Sequence, residues 1–130
     1  MSDNAAPAAG TVGWVDLTVA EAPRLRDFYA EVVGWQPVPV EMGGYQDYSM
    51  MNAAGTGVAG VCHARGANAD LPPVWLVYFV VPSLDAALAA CAARGGEVVA
   101  GPRGAGPSAR FAVLRDPAGA VFALYEPAAG

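Results

Sequence analysis

The stretch WVDLTVAEAPRLRDFYAEVVGW, Trp14 to Trp35, decides how the chain is read. WVDLTV alternates apolar and polar residues, the period of a half-buried strand. Beyond it Leu25, Phe28, Tyr29, Val32 and Val33 fall at i, i+3, i+4, i+7 and i+8 and predict one apolar helix face. Pro23 suits the first helical turn, and Gly34 the left-handed residue that ends a helix. A strand therefore runs straight into an amphipathic helix. Asp16 is out of place in mid-strand, where Asp is depleted, and Trp14 stands just before it on the same face.

Working outward, the same order of elements returns later in the chain. A shift of 62 residues lays Trp14 on Leu76, Gly34 on Gly96 and Gly57 on Gly119. VWLVYFVV repeats the first strand, and Ser83 caps a helix carrying Leu84, Ala87, Leu88 and Cys91 at helical spacing. Each helix is followed by three strand-like runs. In the second copy the last two flank DPAG, strong turn chemistry. Identity between the copies is low; the order of elements is what repeats. The expected class is α+β: two tandem βαβββ modules forming an open cup-shaped mixed sheet with helices outside. The expected boundaries are a disordered tail at 1–10, a first module at 11–63, a linker at 64–73 and a second module at 74–127.

Composition narrows the function classes. The net charge is −5, and the seven cations are all Arg. An acidic chain is a poor partner for a nucleic-acid backbone. Without Lys there is no Schiff-base amine and no Walker-type phosphate loop. No apolar run reaches the ~18 residues of a membrane span. The start, MSDNAAPAAG, has neither the basic nor the apolar region of a signal peptide, and the expectation is a cytoplasmic protein. Cys62 and Cys91 suit two buried thiols in a reducing compartment.

Three stretches carry a resemblance: LTVAEAPRLRDFYAEVVGW, VYFVVPSLDAALAACAARGGEVV and FAVLRDPAGAVFALYEP. They resemble the vicinal oxygen chelate superfamily, which includes glyoxalase I, extradiol dioxygenases, fosfomycin-resistance enzymes and bleomycin-resistance proteins. The D-P-x-G turn before the last strand is the most specific part, and the resemblance covers about residues 11–127. It implies paired βαβββ modules, often assembled as a homodimer. In metal-using members it implies ligands from the first and last strand of each module. Those places here are Trp14, Val61, Leu76 and Ala123. None supplies an imidazole, carboxylate or thiolate, so the expectation is no metal and no other cofactor.

Strand alternation extends the list of cavity-facing residues. With Trp14 go Asp16 and Thr18; with Leu76 go Tyr78 and Val80; with Val61 go Ala59 and His63; with Ala123 go Val121 and Tyr125. An apolar and aromatic face with a few polar groups is the composition of a small-molecule site. The candidate ligand-binding set is Trp14, Asp16, Thr18, Val61, His63, Leu76, Tyr78, Ala123 and Tyr125. On this register Cys62 turns away and packs under a helix, and Glu126 is solvated. The Gly-rich GPRGAGPSAR, with Arg103 and Arg110, reads as a lid.

Two functions compete. One is a metal-independent protein that binds a small, partly apolar compound and sequesters it, as the bleomycin-resistance relatives do. The other is a metal-free enzyme of the same fold, an isomerase, cyclase or epoxide-opening catalyst, with Asp16, His63 and Tyr78 as acid–base groups and a His63–Asp16 dyad where their strands approach. A metal-dependent glyoxalase or dioxygenase ranks below both, since it needs relocated ligands from His63, Asp16 and Glu126.

Overall fold

The computed structural model describes residues 7–104 and 109–128, with nothing said of the Ala67 side chain. The element order is β1 (Val12–Val19), α1 (Ala22–Val33), β2 (Gln36–Glu41), β3 (Gln46–Met51), β4 (Gly57–His63), β5 (Trp75–Val80), α2 (Leu84–Ala93), β6 (Glu97–Gly104), β7 (Arg110–Arg115) and β8 (Val121–Glu126). This is βαβββ twice. The chain divides into two compact units, Trp14–Trp75 and a second running from Leu76 onward together with the residues up to Gly13.

In the first unit the strands lie in the order β2-β3-β4-β1. β1 pairs with β4 in parallel, and the other pairings are antiparallel. α1 covers one face, where Ala22, Tyr48, Met50, Ala59 and Val61 are buried, with Val15, Val19, Leu25, Tyr29, Trp35 and Trp75 packed around them. In the second unit the order is β5-β8-β7-β6, again with a parallel first pair. α2 covers one face through Leu84, Ala87, Leu88 and Cys91, packed on Ala112, Leu114, Phe122 and Leu124. Each sheet is therefore mixed, with one helix-covered face and one helix-free face.

The helices begin and end where the sequence predicts. Pro23 lies in the first turn of α1, and Gly34 takes the left-handed conformation with its N–H on the Ala30 carbonyl. The Ser83 hydroxyl accepts from the Ala86 N–H at 3.2 Å. One expectation for α1 is corrected. Its stripe of contact is Ala22, Leu25 and Tyr29, whereas Phe28, Val32 and Val33 are 53%, 64% and 50% exposed. The i, i+3, i+7 row meets a narrow four-stranded sheet, and the flank of the apolar arc has nothing to rest on.

The predicted tail lies outside the described residues over 1–6, while the Gly10 N–H donates to the Val80 carbonyl at 2.7 Å. The predicted lid lies partly outside as well, over 105–108. Its first part, through Gly104, is strand β6. Arg110 is paired with Asp85 at 3.0 Å and Glu126 at 3.7 Å, and Arg103 stacks on Phe111. Glu126 is not a solvated end: it is half-buried and accepts the Leu84 N–H at 2.6 Å, capping α2 from the last strand.

The contrast between the helices is testable. Leu84 is fully buried, so Leu84→Ala lowers unfolding free energy by about 3 kcal/mol. Val32→Ala on exposed α1 surface changes it by less than about 0.5 kcal/mol. Urea unfolding followed by circular dichroism measures both; a Val32→Ala loss as large as that of Leu84→Ala would place Val32 in the core.

Candidate functional site

The two modules share a turn that the 62-residue shift misaligns. Asp116 Oδ1 accepts from the Ala118 and Ala120 N–H groups, and Asn52 Oδ1 accepts from Ala54 and Thr56 in the same way. Gly119 and Gly55 close these turns onto the carbonyls of Asp116 and Asn52. Gly55, not Gly57, is therefore the counterpart of Gly119. A β-bulge follows in the first module: Met51 pairs with Gly57 and Met50 with Ala59, which leaves Val58 extra. Beyond it Asp16 lies beside Gly60, whereas Tyr78 lies beside Ala123.

This corrects the expected facing of β4. Ala59 and Val61 are buried under α1. Gly60 and Cys62 share the helix-free face with Trp14, Asp16 and Thr18. The counterpart of Ala123 is Gly60 rather than Val61. The other three strands face as expected: Leu76, Tyr78, Val80, Val121, Ala123 and Tyr125 all alternate away from the face that α2 covers.

The helix-free face of the first module is built around Gly60. Trp14 Nε1 donates to Asp16 Oδ1 at 2.5 Å. A Cβ placed on Gly60 would collide with the Asp16 carboxylate and reach 3.4 Å from Trp14 Nε1; one on Gly57 would come within 3.9 Å of the Trp14 ring. The two glycines of GVAG thus make a floor on which the indole and the carboxylate lie flat. A Gly within a strand pattern signals such a close approach, and it is the signal by which Gly60 was open to discovery from sequence. Val38 and Val40 pair with Ser49 and Asp47 on this same face and are 42% and 43% exposed. They put exposed apolar surface on β2, two strands beyond β4 on this face.

Cys62 lies next to the carboxylates on this face. Burial pushes its thiol far above the usual range, and the charges of Asp16 and Asp47 add to the effect. It stays protonated and is a poor nucleophile. Both cysteines are free thiols.

His63 does not meet Asp16 in a dyad. Asp47 Oδ1 accepts its backbone N–H at 2.9 Å and lies 3.1 Å from its Nδ1. The imidazole sits against the rings of Tyr45 and Tyr48 and borders a recess of about 520 Å³. Asp47 and Tyr45 were missed in the sequence, although an Asp within the strand run YQDYSMM carries the same depletion signal as Asp16. On the second module's helix-free face the Tyr78 ring lies 6.2 Å from that of Phe111, while Leu76 and Ala123 are buried and Tyr125 is half-buried.

The family positions for a metal are thus Trp14, Gly60, Leu76 and Ala123, and their chemistry does not fit one. Among the described residues no three His, Cys, Asp or Glu side chains gather within ligating reach.

Comparison with known proteins settles the lineage. Residues 11–124 match the Glyoxalase/Bleomycin resistance protein/Dioxygenase superfamily. The chain belongs to that superfamily. It is 36% identical over 119 residues to CFP32 of Mycobacterium tuberculosis, a protein given the name glyoxylase, covering 92% of this chain and 45% of that one. It is 32% identical over 130 residues to the anthracycline biosynthesis protein DnrV of Streptomyces peucetius, covering 91% and 47%. The chain spans about half the length of these relatives. Among solved structures, methylmalonyl-CoA epimerase of Streptomyces coelicolor in complex with 2-nitronate-propionyl-CoA superposes with a TM-score of 0.59 at 17% identity, covering 94% of this chain and 100% of that one. The Mycobacterium tuberculosis epimerase gives 0.57 at 18%, covering 97% and 95%. These superpositions show the superfamily fold.

Two outcomes test the site. Gly60→Ala drives the Asp16 carboxylate off its floor, changes the Trp14 emission spectrum and costs about 1–3 kcal/mol; an unaltered spectrum would mean that the indole does not lie there. The raised Cys62 pKa carries a sign. Above the ordinary thiol pKa of ~8.5 the unfolded chain loses this proton while the folded chain keeps it, so stability falls as pH rises, by up to about 1.4 kcal/mol per pH unit. Cys62→Ala removes that part of the alkaline slope in denaturant melts.

Proposed function

We propose that this protein binds a small, planar, partly apolar compound without a metal, and holds it rather than converting it. The observation that carries the reading is that Trp14 stands at a family metal position and is tied to Asp16 over Gly60. Such a pair offers an indole face for stacking and a carboxylate for a donor or a cation. The net charge of −5 favours a cationic guest. The relatedness to DnrV directs the choice of compound toward polycyclic aromatics carrying an amine. The expected set of contacts remains Trp14, Asp16 and Thr18 on the first module and Leu76, Tyr78, Ala123 and Tyr125 on the second. Gly60 takes the place of Val61 in this set, and His63 is paired with Asp47 instead.

The metal-free enzyme reading built on a His63–Asp16 dyad has less support, because His63 pairs with Asp47 instead. Residence in a reducing cytoplasm fits the two free thiols, and no helix among the described residues is long and apolar enough to cross a membrane. A homodimer belongs to the same proposal, as the likeness to the superfamily implies.

The test is a titration with an amino-sugar anthracycline and, separately, with its aglycone, followed by tryptophan quenching and by chromatography of the recovered compound. The expected result is saturable binding, loss of quenching in Trp14→Phe, and unchanged compound. Asp16→Asn weakens the amine-bearing compound by about tenfold and the aglycone much less. Steady conversion of the compound, or stabilisation by one equivalent of Ni, Zn, Mn or Fe(II) in a melting assay, would overturn the reading.

A further inference from the structure

His63 is the only histidine of the chain, and the Trp14–Asp16 face makes no use of it. Its surroundings are those of a working base. An ionised carboxylate only accepts hydrogen bonds, so the Nδ1 that lies 3.1 Å from Asp47 Oδ1 carries the proton. The same Asp47 oxygen also accepts the His63 backbone N–H, so ring and strand are tied to one anchor. Nε2 is then the basic nitrogen. It has no hydrogen-bond partner among the described residues, and none of their unpartnered side-chain nitrogens or oxygens is buried, so Nε2 is accessible on a residue that lines the recess.

The walls of that recess indicate what it takes. Tyr45 and Tyr48 present aromatic rings with centroids 5.5 Å and 6.3 Å from the imidazole. Gln46 and Glu41 complete the lining, and the Glu41 carboxylate is occupied by the Gly43 and Gly44 N–H groups at 3.1 Å each. Two guanidinium groups stand behind the rings. Arg26 lies 4.8 Å from the Tyr48 centroid and is bonded to Asp27. Arg65 lies 3.8 Å from the Tyr45 centroid, and no salt bridge joins it to a carboxylate among the described residues. A planar guest against aromatic walls and facing a base suits a weak acid that gives up its proton.

We propose that His63, positioned by Asp47, is the general base of a second site that binds a phenol or enol and holds it as its anion. The ligand O–H bond breaks, its proton bonds to Nε2, and the electron pair stays on the ligand oxygen. The imidazolium formed is stabilised by the Asp47 carboxylate, and the phenolate by its ion pair with the imidazolium. His63 is the catalytic residue in this step, and Asp47 is a positioning residue. The site belongs to the first module alone, and its recess is lined by neither Trp14 nor Asp16.

The probe is p-nitrophenol, whose phenolate absorbs visible light and whose phenol does not, added to the full chain below the pH at which the free compound ionises. Saturable growth of the phenolate band is expected. His63→Gln removes it, and Asp47→Asn, which keeps an oxygen for the backbone N–H, lowers the bound phenolate fraction by about tenfold. Trp14→Phe leaves it unchanged, which separates this site from the one proposed above. A long-range proton–nitrogen NMR spectrum of the single histidine supplies a readout that a purely structural role would not move: Nε2 gains a proton as p-nitrophenol saturates the site. No band, a band that survives His63→Gln, or an Nε2 signal unchanged at saturation would overturn the proposal.

Discussion

One inserted residue governs the chemistry of the first module. The bulge at Val58 sets the phase of β4 after the turn, and every side chain beyond it depends on that phase. With it, Ala59 and Val61 enter the core under α1 while Gly60 turns toward Asp16. Without it the period of two would send Val61 to the helix-free face and put Gly60 under the helix, leaving a hole in one place and a collision in the other. The second module has a regular β7–β8 pairing from Arg110 to Arg115, and there the alternation carries through unbroken.

The space over Gly60 is filled rather than left empty. Gly60 removes a side chain, and the space is taken by Asp16, reaching across from the parallel neighbour and held by the Trp14 indole. A buried or half-buried carboxylate needs partners, and an indole N–H beside it supplies one without adding charge. Nearby, Cys62 remains a neutral thiol because two carboxylates and burial oppose its ionisation.

Asp47 shows how one side chain can organise a strand end. Its carboxylate accepts two hydrogen bonds from a single residue, one from the His63 backbone and one from its ring. It therefore fixes the position of β4 at its end and the protonated nitrogen of the imidazole together. The reach is from β3 to β4, between residues 16 positions apart in the chain, and no local sequence pattern announces it.

Much was legible in the residues themselves. Alternation, helical spacing, the Pro23 and Gly34 punctuation and the DPAG turn determined two βαβββ modules, because local periodicity and capping depend on neighbours in the chain. The orientation of β1, β5 and β8 was legible for the same reason. The partners of Asp16 and His63 were not. A register shift of one residue leaves composition and spacing intact while exchanging the faces of a strand, and which phase wins depends on how Ala59 and Val61 pack against α1. Tertiary structure alone decided that Gly60 lies under Asp16, that Glu126 caps α2, and that His63 belongs to Asp47, since each is a contact between strands or between strand and helix, settled by packing.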